Sequence, residues 1–129
     1  MAIGTLAAVA GAAGIARLLG LGGGRIEDEA EAASIAARTI AGFVPVRARL
    51  DRDGQAALVR GKAGDLVVLK MHGAMASARQ LTPPLAATVT DSTVRVPTGD
   101  ARFGDVTFKF EDAEQARDLT RMLERNFDG

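Results

Sequence analysis

The chain contains no cysteine, tryptophan or tyrosine, and it has a single histidine, His72. Without cysteine, disulfide bonds, thiolate nucleophiles, zinc ribbons and iron–sulfur ligation are excluded. Its five phenylalanines are the only aromatic residues, so a hydrophobic core must be built mainly from aliphatic side chains. The formal net charge is zero, which removes the overall basic attraction expected of a non-specific nucleic-acid binder. At 129 residues the chain has the length of one domain.

The residue types that support catalysis are scarce and form no recognisable motif. A general base or metal ligand at His72 would need a second histidine or a carboxylate nearby, and no local spacing suggests one. His72 precedes Gly73, so we expect it in a turn. No serine lies in a nucleophile-elbow motif, and the glycines of residues 20–24 lack the Gly-Lys-Ser/Thr of a phosphate loop. We therefore expect no catalytic residue, cofactor or metal, with an enzyme of unrecognised site as one alternative.

Residues 2–21 form an apolar segment with one charge, Arg17, among alanine, glycine, leucine, isoleucine and valine. As a helix, twenty such residues would cross about 30 Å of hydrocarbon. Three interpretations stay open: a single-pass membrane anchor, a helix that folds back or pairs with another copy, and a cleaved signal peptide. For an anchor, Arg17 and Arg25 at its C-terminal end place the rest of the chain in the cytoplasm. We expect a membrane-associated protein facing the cytoplasm, or a cytoplasmic one.

A second helix is predicted over residues 26–41, after a flexible glycine joint that ends at Gly24. Its first turns carry four carboxylates and Gly42 follows its end, as helix termini favour. With no histidine nearby, these carboxylates indicate a solvated helix end rather than a metal site. The carboxylates are Glu27, Asp28, Glu29 and Glu31.

From residue 44 onward the pattern is that of strands and turns, and it closes with a helix. Alternating or continuous apolar runs predict seven strands. They cover residues 44–51, 56–60, 66–71, 75–81, 85–89, 93–96 and 106–110. The run of residues 66–71 is nearly all apolar, as in a strand covered on both faces. Residues 111–127 then change to helical spacing, with Asp112 and Gln115 spaced as a capping box.

The predicted fold is α+β: a seven-stranded antiparallel bent sheet or barrel with a C-terminal lid helix, preceded by two N-terminal helices. The segments are residues 1–24 (possible anchor and glycine joint), 25–43 (acidic amphipathic helix) and 44–129 (β-rich domain). We expect one hydrophobic core. Its predicted members are Val46, Leu50, Leu58, Val67, Leu69, Leu85, Val89, Val94, Val96, Val106, Phe108, Phe110, Leu119, Met122 and Leu123.

Positive charge is concentrated in the first strands. Residues 44–80 carry seven Lys/Arg against three Asp/Glu, and such asymmetry can orient a domain beside an anionic surface. Arg47 and Arg49 are two residues apart, so they share one strand face, and Arg52 extends the cluster into the turn. Arg60 is the last residue of the second predicted strand, and Lys62 follows that strand. These residues are candidates for contact with an anionic surface, or they form the solvated face that any exposed sheet carries.

The order of elements over residues 44–127 resembles the pleckstrin-homology superfold, in which a C-terminal helix plugs one end of a seven-stranded, strongly bent sheet. In that family, basic residues of the first hairpin often hold phosphoinositide headgroups, and Arg47, Arg49 and Arg52 occupy that hairpin here. The tryptophan usual in the family's last helix is absent, so Leu119 or Met122 would fill its place. The composition also resembles that of small, uncharacterised membrane-proximal proteins of GC-rich bacteria.

These features predict a non-enzymatic binding or scaffold module that is tethered by its N-terminal segment to a membrane or a protein partner. The alternative is a structural subunit that oligomerises through its Ala/Gly-rich N-terminal helices. Nucleic acid is not an expected partner.

Overall fold

The computed structural model describes residues 24–81 and 86–128, and side chains as far as residue 124. The candidate anchor of residues 2–21 and the predicted core residue Leu85 lie outside these ranges. Two helices and seven strands are present in the described part. In chain order they are α1 (Glu29–Thr39), β1 (Pro45–Leu50), β2 (Ala56–Gly61), β3 (Leu66–His72), β4 (Met75–Gln80), β5 (Thr88–Thr90), β6 (Thr93–Val96), β7 (Val106–Lys109) and α2 (Ala113–Asp128).

The strands form two antiparallel sheets, of order β1-β2-β3-β4 and β5-β6-β7. This confirms the prediction of an α+β fold with seven antiparallel strands and a C-terminal helix. The expected single bent sheet or closed barrel is wrong for the described residues. After β4, the Leu81 N–H still donates to the Leu66 carbonyl at 2.9 Å, but β5 pairs only with β6. Because β5 has three residues, all exposed, it offers neither the length nor the apolar face needed to extend the first sheet.

Helix α1 begins at a cap formed by the acidic cluster. The Asp28 side chain accepts from the Glu31 N–H at 2.8 Å, and Glu31 Oε1 accepts from the Glu27 N–H at 2.7 Å. These bonds satisfy backbone donors that have no partner within the helix. The helix therefore starts after Asp28, later than the predicted residue 26, and it ends at Thr39. The first predicted N-terminal helix, within residues 2–21, lies outside the described residues.

The central strands of the first sheet, β2 and β3, are buried on both faces, which divides the core in two. Leu66, Val67, Val68 and Leu69 are all fully buried, as their apolar run predicts. The α1-side cluster lies between α1 and this sheet and comprises Ile26, Ala32, Ile35, Ala36, Phe43, Ala48, Ala57, Val59, Val67 and Leu69. The α2-side cluster lies between this sheet, the second sheet and α2, and it includes Leu58, Leu66, Val68, Val94, Val96, Val106, Phe108, Phe110, Leu119, Met122 and Leu123.

The expectation of a single core is therefore wrong. Val67 and Leu69 point to α1, away from Leu58 and its neighbours, because successive strand residues point to opposite faces. Val46 is 58% exposed because the register of β1 against β2 shifts at this residue, between Pro45 and Arg47. Val89 is exposed on the short strand β5.

Helix α2 covers the second core cluster. Its cap is the predicted one: Asp112 Oδ1 accepts from the Gln115 N–H at 2.9 Å, and Gln115 Oε1 accepts from the Glu111 N–H at 3.1 Å. Its buried positions have the predicted helical spacing. They are Ala116, Leu119, Met122 and Leu123.

The β1–β2 turn connects the two sheets through a buried carboxylate, that of Asp51. Asp51 Oδ1 accepts from the backbone N–H groups of Gln55 and Ala56, and Oδ2 accepts from that of Lys109 on β7. The Arg52 N–H donates to the Lys109 carbonyl at 2.7 Å. These bonds fix the position of the first hairpin relative to the second sheet.

Within the described ranges, no helix combines the length and the apolar character needed to span a membrane.

Candidate anion-binding recess

Arginines face each other across the first hairpin. The register pairs Arg47 with Arg60 and Arg49 with Leu58. Since Leu58 belongs to the α2-side cluster, these three arginines lie on the sheet face directed to α2 and the second sheet. Ala48 belongs to the α1-side cluster and lies on the opposite face. The bulge at Val46 sets this orientation for the rest of β1.

A recess of about 200 Å³ opens where this face meets α2. Its walls are Arg47 and Arg60 from the hairpin and Asp118, Arg121 and Met122 from the helix. Met122 is buried and gives the recess an apolar wall, whereas Arg47 and Arg121 are exposed. The helical spacing that buries Leu119 and Met122 also places Asp118 and Arg121, one turn apart, at this boundary. We call this site the recess.

The recess carries an excess of positive charge. Arg121 Nη1 donates to Asp118 Oδ1 at 2.8 Å, so this carboxylate is already paired with one guanidinium group. The side chains of Arg47 and Arg60 make no hydrogen bond or ion pair with any residue that the structure describes. Like charges directly opposite each other on neighbouring strands are destabilising. An anion between the two guanidinium groups would remove that repulsion and would accept their hydrogen bonds.

The other two predicted contact residues lie outside this recess. Arg49 is on the same sheet face, but it does not line the recess. Arg52 is in the turn at the far end of the hairpin, where its guanidinium group bonds the Asp53 carboxylate at 3.3 and 3.4 Å. The hydrogen bond and negative charge of Asp53 raise the pKa of Arg52 above its ordinary value. Of Arg47, Arg49 and Arg52, the structure thus brings only Arg47 into the recess.

A second group of cations surrounds Phe103, but these cations are already bonded. Lys70 Nζ donates to the carbonyls of Phe103 and Asp105 at 3.1 and 3.0 Å. Arg79 pairs with Asp100 at 3.2 Å and lies over the Phe103 ring, 5.3 Å from its centroid. Hydrogen bonds from the backbone N–H groups of Phe103 and Arg102 lower the pKa of Asp100, which keeps its carboxylate charged. These contacts hold the β6–β7 loop against the first sheet.

The single histidine and the acidic residues do not come together as a metal centre in the described part of the chain. His72 is the last residue of β3, before the Gly73-Ala74 turn, and its ring meets Phe103 edge-on at 6.4 Å. No group of three histidine or carboxylate side chains lies close enough to hold a metal ion among residues 24–81 and 86–124.

Of the recess arginines, the sequence identified Arg47 and Arg60 as candidates but not Arg121. Once β1 and β2 are paired by their turn, the hairpin register places Arg60 opposite Arg47. Arg121 lies about 60 residues further along the chain, and no local pattern specifies where α2 docks.

No family model, curated protein or solved structure matches this chain.

Proposed function

We propose that this protein is a non-enzymatic binding module that docks on an anionic membrane surface through the recess. The observation that carries the proposal is the cross-strand pair of Arg47 and Arg60. Their side chains form no ion pair with a described residue, and the one carboxylate of the recess, Asp118, is bonded to Arg121. Phosphate and carboxylate groups match the planar fork of guanidinium donors. Repulsion between the two guanidinium groups would be offset by an anion placed beside them.

Two further features support this proposal. Seven antiparallel strands followed by a C-terminal helix suit the pleckstrin-homology-like arrangement expected from the sequence, with the first hairpin as the basic element. The net positive charge of residues 44–80 also creates a positive electrostatic potential around the recess, which attracts an anionic surface. Residues 2–21 serve in this proposal as the tether that keeps the module at the membrane.

The test is a vesicle-binding measurement on the full chain with Arg47→Gln/Arg60→Gln. A cation near an anionic membrane contributes about 1 kcal/mol, so losing two should weaken binding by about 2 kcal/mol, or roughly 30-fold. Binding is compared on phosphatidylcholine vesicles with and without phosphatidylserine. The difference between wild type and variant should appear only with phosphatidylserine and should shrink at high salt, because salt screens exposed charges.

The matched control is Arg38→Gln/Arg95→Gln, which removes the same charge from exposed sites on α1 and β6. This control should keep most of the affinity. If both double variants lose affinity equally, the attraction depends on net charge alone and the recess has no special role. If neither loses any, the recess is a solvated sheet face and the proposal is wrong.

A further inference from the structure

The two edges of the first sheet differ in how they are protected. Edge strands are commonly shielded by proline, bulges or charged residues, because their free N–H and C=O groups can pair with another chain. Strand β1 has such features: Pro45, the bulge at Val46, and two arginines. Strand β4 has neither proline nor bulge, and its register with β3 is continuous from Met75 to Gln80.

The hydrogen-bonding pattern shows which groups of β4 point outward. The Met71 N–H donates to the Gln55 carbonyl at 3.0 Å, so it points to the β2 side and away from Ala76, which lies opposite Met71. Antiparallel pairs alternate between bonded and non-bonded, so Ala76, Ala78 and Gln80 direct their N–H and C=O groups away from β3. In the described part of the chain, no strand lies on that side of β4.

The free edge is also accessible. It borders a trough of about 460 Å³, with Thr39 on one side and Arg102 and Phe103 on the other. The side chains along the strand are small: Ala76, Ser77 and Ala78. The one charged residue of β4, Arg79, is already paired with Asp100 and brings no unpaired charge to this edge.

We infer that β4 pairs antiparallel with β4 of a second copy of this chain, about a two-fold axis at Ala78. Around this axis, Ala76 faces Gln80 of the second copy, and Ala78 faces its counterpart. All of these residues direct their backbone groups outward, and each pair exchanges two hydrogen bonds.

The side chains are self-complementary in the same register. Ser77 faces Arg79, so no arginine opposes an arginine directly. Met75, which is 54% exposed in the single chain, lies opposite Leu81, which is buried in the core of its own chain. The two first sheets join into one continuous sheet, and the edge that β4 leaves open is closed.

This symmetry has a consequence that rests on the proposed function. The two-fold axis is perpendicular to the sheet and keeps the same face of both copies on the same side. Two recesses then open on one side of the dimer, and both can contact one membrane. Because the two recesses belong to one dimer, binding of the first makes binding of the second intramolecular, and the apparent affinity of the dimer for the membrane rises.

The experiment measures the mass of the full chain by analytical ultracentrifugation in a nonionic detergent, for wild type, Ala78→Pro and Ala78→Ser. Proline at residue 78 removes an outward N–H and no bond of the β3–β4 ladder, so the fold is retained. The serine variant keeps this N–H and is the matched control. Wild type and Ala78→Ser should sediment at twice the chain mass of 13.4 kDa, and Ala78→Pro at the single mass.

Amide hydrogen exchange of the wild type gives a second readout that does not depend on a variant. The amides of Ala76, Ala78 and Gln80 should be protected at high concentration and should lose at least tenfold protection on dilution. The amides of Ser77 and Arg79, bonded to β3, should not change. Vesicle binding separates the two proposals, since Arg47→Gln/Arg60→Gln should weaken binding and leave the dimer intact.

The inference is overturned if the wild type is monomeric with fast exchange at all three amides. It is equally overturned if Ala78→Pro keeps the wild-type mass, which would place self-association elsewhere in the chain. Protection that appears only after an extended acidic peptide is added would show that β4 pairs with a different partner, against this inference.

Discussion

At the scale of the residue, Asp51 links the first hairpin to the second sheet. Its carboxylate is buried and accepts three backbone N–H donors, one of them from β7. Asp51→Ala leaves these donors without a partner and should lower the free energy of unfolding by about 2–4 kcal/mol. Asp53→Ala, in the same turn but exposed, is the control and should change it by about 0.5 kcal/mol or less. Urea unfolding followed by circular dichroism measures both, and equal effects would contradict the role of Asp51.

Also at this scale, the sequence predicted the turn around Asp51 but not its burial. Asp51-Arg52-Asp53-Gly54 is recognisable as a turn from residue types alone. Which of the two aspartates is buried depends on Lys109, nearly 60 positions away in the chain. The basic cluster likewise has one feature that local sequence predicts and another that depends on distant residues. The alternation of β1 places Arg47 and Arg49 on one face, but only the docked helix distinguishes them, by forming the recess beside Arg47.

At the scale of the element, α2 shapes both the second core cluster and the recess. Leu119 is fully buried between the two sheets, so Leu119→Ala should cost about 2–5 kcal/mol through lost burial and the cavity that remains. Arg117→Ala, exposed on the same helix, should cost about 0.5 kcal/mol or less. Thermal melts of the two variants give the comparison. If Leu119→Ala melts like wild type, α2 is not packed on the sheets in solution.

At the scale of the whole molecule, two clusters share the first sheet and should unfold together. Ile35 belongs to the α1-side cluster and Leu119 to the α2-side cluster, yet β2 and β3 supply residues to both. Because each strand is packed on both faces, we expect Ile35→Ala to lower the urea midpoint of both clusters equally. Methyl NMR signals of Ile26 and Val94 report on the two clusters separately. Loss of the Ile26 signals at lower urea than those of Val94 would show that α1 unfolds independently.

Local sequence patterns are sufficient to predict the seven strands, the capped C-terminal helix and the two-sided burial of β3. These features depend on residue spacing and turn chemistry within about ten residues, so they are readable locally. Long-range packing sets the division of the strands into two sheets, the coverage of one face by α1, and the position of Arg121 beside Arg47 and Arg60. The exposure of the β4 edge was likewise decided by sheet order. Each of these outcomes depends on which surfaces pack together across long stretches of chain, and burial of apolar area is non-directional, so no local pattern specifies it.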